Sequence, residues 1–214
     1  MKGKISLIVS FLFLIACNKN DVEGMQIEGE IRDSRHGAGV SAASVLVQEQ
    51  VVEGGALNGA LQFAVQTTSD GGGEYTANFE RKNALTYNID FTKAGYFDVT
   101  REVNPDNLSP GVGYTVNTVM TPEAFIEVNI FNANPETSED FMRFRYMNAN
   151  FDCECCGNSW MEFTGTIVDS TLTCRLHGDY TLYYTFEVNR GEEIIEFDSI
   201  FCPAFQTTVL NIGY

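Results

Sequence analysis

Five cysteines in the C-terminal half carry the clearest chemical potential of this 214-residue chain. Cys153, Cys155 and Cys156 fall within "FDCECCGNSW" (151–160), and Cys174 and Cys202 follow. Thiols so spaced can pair as disulfides, hold a soft metal or supply a nucleophile. A bond between adjacent Cys155 and Cys156 would strain its ring, so the expected bridges join the cluster to Cys174 and to Cys202, with one thiol left over. Zinc or copper(I) would take the three clustered thiols plus Cys174 or His177. C-x-C-C lacks the C-x₂-C spacing of zinc sites, so disulfides are preferred, and no metal or cofactor is assigned. A thiol nucleophile needs a base beside it. His177, in "RLHGDY", is the sole histidine of that half, and its spacing supports no dyad. His36, in "SRHGAG", reads as a solvated loop residue. There is no G-x-S-x-G, phosphate loop or H-x-x-E motif. Glu192/Glu193 and Glu136/Glu139/Asp140 sit where polar turns and strand ends are expected. No catalytic residue is assigned, and no enzymatic activity is expected.

The sixth cysteine has a different setting. Lys2 and Lys4 precede an apolar run, Ile5 to Ala16, broken only by Ser6 and Ser10. That run is too short to cross ~30 Å of hydrocarbon but suits the apolar region of a signal peptide. It ends Leu14-Ile15-Ala16-Cys17, which resembles the lipobox of bacterial lipoproteins. The resemblance implies removal of residues 1–16 and lipidation of Cys17. Several acyl chains on one residue would anchor it stably, where one binds only marginally. Residues 17–24 read as a polar tether, and their acidic character resembles the export tags of surface lipoproteins of the Bacteroidetes. The expected location is therefore the outer membrane, lipid-anchored, on its periplasmic or cell-surface side, where disulfides persist.

The formal charge is −16 and becomes more negative once Lys2 and Lys4 leave with the signal. Such a chain disfavours nucleic acid and anionic lipid as electrostatic partners. The acids are dispersed, which serves solubility. With 44% hydrophobic and 12% aromatic residues the chain can bury a real core.

The elements that must position these groups are strands. Tyr87, Ile89 and Phe91 alternate with polar residues, as do Ile126, Val128 and Ile130, and the longer row Tyr180, Leu182, Tyr184, Phe186 and Val188. Period two with Gly, Asn, Asp and Pro between runs predicts antiparallel sandwiches. In the N-terminal half strands are expected at 25–32, 45–50, 61–68, 75–79, 87–92, 97–103 and 114–121, with a Gly-rich loop at 53–59. "IEGEIRD" (27–33), "GAGVSAASVLVQ" (37–48), "TTSDGGGEY" (67–75) and "YNIDFTKAGY" (87–96) together resemble the carboxypeptidase regulatory-like family. The resemblance spans residues 25–121 and implies a seven-stranded, transthyretin-like sandwich that serves as a non-catalytic accessory or spacer. Val40 and the Gly-rich segment depart from the family pattern. Asp70 is expected to bond backbone amides in its turn rather than calcium, which wants six to eight oxygens. Gly95 should bend the chain so that Tyr96 lies over a sandwich end.

Residues 122–214 are expected to form a second small β-sandwich or barrel with disulfides, with strands near 125–131, 140–147, 160–168, 180–189, 193–201 and 206–212. The overall expectation is an all-β envelope lipoprotein that binds, assists or assembles. Its partners would be the membrane through its anchor, and an outer-membrane protein complex, a polysaccharide or further copies of itself. Two alternatives stay open: metal-handling or thiol chemistry at Cys153/Cys155/Cys156, and self-assembly by strand exchange.

Overall fold

The computed structural model describes residues 24–54, 56, 57, 59–147, 156–189 and 193–214. Cys17, Cys153 and Cys155 lie outside these. The described chain is built of strands and one short 3-10 turn, Pro105–Asn107.

β1 (Met25–Asp33) buries Ile27 and Ile31 completely and shows its alternate residues to solvent, as period two demands. It is followed by β2 (Ser44–Glu53), β3 (Ala56–Leu57), β4 (Gln62–Thr68), β5 (Glu74–Phe79), β6 (Ala84–Thr92), β7 (Val99–Val103), β8 (Gly113–Thr115) and β9 (Thr118–Met120). One sheet has the order β5-β1-β8, with β9 continuing beside the far end of β1. The other places β2 between β4 and β6, with β7 beyond β6 and β3 folded onto the end of β2. Ile27, Ile31, Val45, Val47, Ala77, Tyr87, Ile89, Phe91 and Met120 fill the space between them. Each large apolar side chain buried there contributes roughly 1.5–3 kcal/mol.

The strand expected at 114–121 is interrupted. Val116 still donates its N–H to the Glu28 carbonyl, but at Asn117 the side-chain Oδ1 accepts the Glu30 N–H (3.0 Å) in place of a backbone carbonyl. Gly29 permits this close approach, since a Cβ there would lie 2.2 Å from the Val116 carbonyl oxygen. Counted with β8 and β9 as one interrupted strand, and without the two-residue β3, the sandwich has seven. The Asp70 turn forms as expected: Asp70 Oδ1 accepts the N–H groups of Gly72 (2.8 Å) and Glu74 (2.9 Å).

The second half contains β10 (Glu123–Phe131), β11 (Phe141–Tyr146), β12 (Met161–Thr164), β13 (Asp169–His177), β14 (Tyr180–Asn189), β15 (Glu193–Cys202) and β16 (Thr207–Gly213). A three-stranded sheet, β13-β10-β16, faces a four-stranded one, β12-β11-β14-β15. A core of Ile126, Val128, Ile130, Met142, Phe144, Tyr146, Leu176, Leu182, Tyr184 and Val188 joins them, so this unit is a sandwich. β13 was not among the expected strands. Its inward row, Ser170, Leu172, Cys174 and Leu176, mixes polar with apolar residues, so its alternation is faint. Yet it pairs with β10 along its whole length.

The two sandwiches touch through a small junction outside both cores. Gly95, at φ +85°, bends the chain so that the Tyr96 ring packs on Phe205 with centroids 5.2 Å apart. The Tyr96 hydroxyl donates to Asp33 Oδ2 (3.0 Å). Arg35 Nε donates to the Gly178 carbonyl (3.1 Å), and Arg175 bonds Glu123 (2.8 Å) while lying over the Phe97 ring.

Candidate functional site

The outer face of the four-stranded sheet is where exposed chemistry gathers. Alternation along β11 sends Met142, Phe144 and Tyr146 into the core, so Arg143 and Arg145 must point out. The register sets Arg143 beside Glu187, Arg145 beside Thr185, Thr185 beside Phe197 and Tyr183 beside Ser199. Arg143 forms an ion pair with Glu187. Trp160, just before β12, lies against both arginines, each guanidinium carbon 4.5 Å from its ring centroid. Such contacts are worth about 0.5–1 kcal/mol at exposed sites. Beyond this group Tyr183, Ile195, Phe197 and Phe201 are 52%, 47%, 66% and 54% exposed. Large apolar side chains exposed together on one face are a mark of interaction surfaces in soluble folds.

The margin of that face is β15, which among the described residues pairs only with β14. Its other face carries Glu196 and Asp198, both exposed. Asp198 Oδ2 accepts from the Tyr184 hydroxyl (3.2 Å), and Asp198 Oδ1 accepts the Ser199 N–H (2.7 Å). Burial first, and the nearby Asp198 carboxylate second, push the Tyr184 phenol up to about 12.

Of the two bridges expected from the cysteine cluster, the one to Cys174 forms. Cys156 and Cys174 form a disulfide that ties the segment entering β12 to β13, and so one sheet to the other. The link expected from the cluster to Cys202 is not made. Cys202 is a free thiol without exposed surface at the end of β15, opposite Tyr180. Burial pushes its pKa up, which suppresses the thiolate a nucleophile or metal ligand must be. Cys153 and Cys155 of the metal set expected with Cys174 or His177 lie outside the described residues. The set's other two sulfurs, those of Cys156 and Cys174, are bonded to each other, and three residues of strand place Cys174 and His177 on opposite faces. Among the described residues no three His, Cys, Asp or Glu side chains converge as a metal site.

The histidines also differ from expectation. His177 packs edge-on against Phe97. His36 is 64% exposed, yet its ring lies between Asp33 (Nδ1 to Oδ1, 3.5 Å) and Asp179 (Nε2 to Oδ2, 3.6 Å), bridging the two halves. Burial acts to raise the Asp33 pKa, but the N–H groups of His36 and Arg35 and the Tyr96 hydroxyl outweigh it and hold the carboxyl below its usual range. Asp140 is likewise structural: it accepts from Glu136 N, Thr137 N and Asn132 Nδ2 and fixes the turn before β11.

No protein-family model matches the chain, and no curated protein does. Among solved structures, the TIE protein of Bacillus anthracis aligns over 89% of this chain and 34% of its own, with 11% identity and a TM-score of 0.37. A streptococcal ancillary pilin aligns over 89% and 62%, with 12% identity and a TM-score of 0.39. The shaft pilin SpaA from Lactobacillus rhamnosus GG aligns over 88% and 96%, with 9% identity and a TM-score of 0.34. The chain thus spans about a third of the first and three-fifths of the second, and at these values the likeness assigns it to no family.

Proposed function

We propose that this protein is a non-catalytic binding module of a bacterial cell envelope, anchored by lipid at Cys17 and presenting the outer face of the β12-β11-β14-β15 sheet to a partner. The observation that carries the reading is the exposed row Tyr183, Ile195, Phe197 and Phe201 beside the Arg143–Trp160–Arg145 group. On a chain of charge −16 this is a concentrated apolar and cationic patch, and aromatic and arginine side chains are what binding hot spots use. A protein fits the face better than a polysaccharide. The Trp160 ring, the best platform for a sugar, is already covered by guanidinium groups, while phenylalanine and isoleucine offer sugars no hydrogen bonds. The resemblance of residues 25–121 to carboxypeptidase regulatory-like domains gives the first sandwich a spacer role, holding the second away from the membrane. The buried Cys202 and the Cys156–Cys174 bond weigh against thiol or metal chemistry as the chain's business.

The test compares parent, Cys17→Ser and Phe197→Ser/Phe201→Ser chains in the cells that make the protein. The parent should fractionate with membranes and, after mild detergent, elute in an assembly larger than the monomer. Cys17→Ser should leave the membrane fraction. The double serine variant should stay membrane-bound and melt as the parent does, but elute as a monomer. A parent that elutes as a monomer, or a double variant that keeps its assembly, would contradict the reading.

A further inference from the structure

We infer that the outer edge of β15, on which no other described strand pairs, accepts an extended strand from a second protein, one whose side chains alternate between apolar and cationic. The inference rests on the proposed binding role and names the kind of partner. The backbone of β15 is available: the Ser199 N–H donates to its neighbour Asp198 rather than to β14. The facing residue agrees, since the Tyr183 carbonyl is taken by the Met147 N–H on the β11 side. Tyr183 and Ser199 are therefore a non-bonded pair in the β14–β15 ladder. Backbone groups of alternate residues share a side, so Ile195, Phe197, Ser199 and Phe201 all turn N–H and C=O to the outer edge. Ten residues of strand with such an edge form a template for strand addition.

The side chains choose the occupant. On one face an added strand would meet Ile195, Phe197 and Phe201, and on the other Glu196 and Asp198. Apolar residues suit the first face and lysine or arginine the second, because opposite charges directly across a ladder stabilise it and like charges destabilise it. The same rule disfavours a second copy of this chain. Antiparallel pairing of two β15 strands in their fully overlapped registers sets Glu196 against Asp198, or Asp198 against itself. Asp198 now caps the Ser199 donor. An incoming strand would take that donor with its own carbonyl and pair the released carboxylate with its cation.

The experiment uses the full-length chain in detergent and labelled peptides of about ten residues, the length of β15. One alternates Lys with Val, one Glu with Val, and one Lys with Gly. The Lys–Val peptide should bind and protect the Ser199 amide from exchange. The Glu–Val and Lys–Gly peptides should each bind at least about tenfold more weakly. Ser199→Pro, which removes an edge donor and no ladder bond, should weaken Lys–Val binding by at least about tenfold, and Ser199→Ala should not. Should the proline disturb folding, Glu196→Lys/Asp198→Lys decides instead, and it should reverse the preference to Glu–Val. Absent Lys–Val binding, equal binding of Lys–Gly, or indifference to both variants overturns the inference. So does self-association of the parent that Ser199→Pro abolishes, because the occupant is then a second copy. An assembly lost in Phe197→Ser/Phe201→Ser yet kept in Ser199→Pro would leave the binding role standing and remove only the strand addition.

Discussion

Replacing Cys156 and Cys174 together by alanine removes the covalent tie between the two sheets of the second sandwich and touches nothing in the first. The bond spans 18 residues. In the chain-entropy model a closure of that size contributes ~3 kcal/mol, against a total stability of about 5–15 kcal/mol for a typical domain. For a unit of some 90 residues that predicts a fall in melting temperature of roughly 10–25 °C. The first sandwich contains no cysteine between Cys17 and Cys153 and stands on burial around Tyr87, Ile89 and Phe91. Hydrogen exchange followed residue by residue reads both halves in one sample. Protection should fall about a hundredfold across β10, β11, β14 and β16 and stay unchanged across β1, β2 and β6. An equal loss in both halves would mean that the cores unfold as one unit. No loss in either would mean that the bond stabilises nothing.

Two further perturbations probe local geometry. Gly29→Ala drives a Cβ to within 2.2 Å of the Val116 carbonyl oxygen, so it should cost about 2 kcal/mol or more and separate β8 and β9 from β1, read by denaturant titration. The Asp140 pKa is lowered to about 2, first by the Glu136 N–H and then by Asn132 and Thr137. A depressed carboxyl pKa stabilises the fold above the ordinary value of 3.8, and that stability is lost as pH falls towards 2. Asp140→Asn should therefore be less stable than the parent at neutral pH, and the difference should vanish near pH 2 in acid-unfolding curves.

Much of the architecture was legible because the inward rows are large and strictly alternating. Ile27 and Ile31, Tyr87 to Phe91, Ile126 to Ile130 and Tyr180 to Val188 each announce a strand and the face it buries. β13 escaped because Ser170 and Cys174 dilute its inward row. The break between β8 and β9 depends on one asparagine side chain replacing a backbone acceptor, which no periodicity reports. The candidate surface was harder to read. In β15 the sequence "IEFDSIF" (195–201) shows apolar residues alternating with Glu196 and Asp198, a pattern whose natural reading is apolar side inward. The structure turns that apolar side out, because the register with β14 is fixed by the inward row from Tyr180 to Val188. Of the two bridges expected from the cysteine cluster, the one to Cys174 forms and the one to Cys202 does not, since pairing is decided by which sheet each cysteine faces.

On the proposed reading, the outer face of the four-stranded sheet meets another protein. Site-specific photo-crosslinking in the producing cells tests it most directly, with a benzophenone side chain placed in turn at Tyr183, at Phe201 and at exposed Thr171 on the opposite sheet. A discrete adduct with a different protein is expected from Tyr183 and Phe201 and none from Thr171. Equal adducts from all three positions, or none from Tyr183 and Phe201, would contradict that reading.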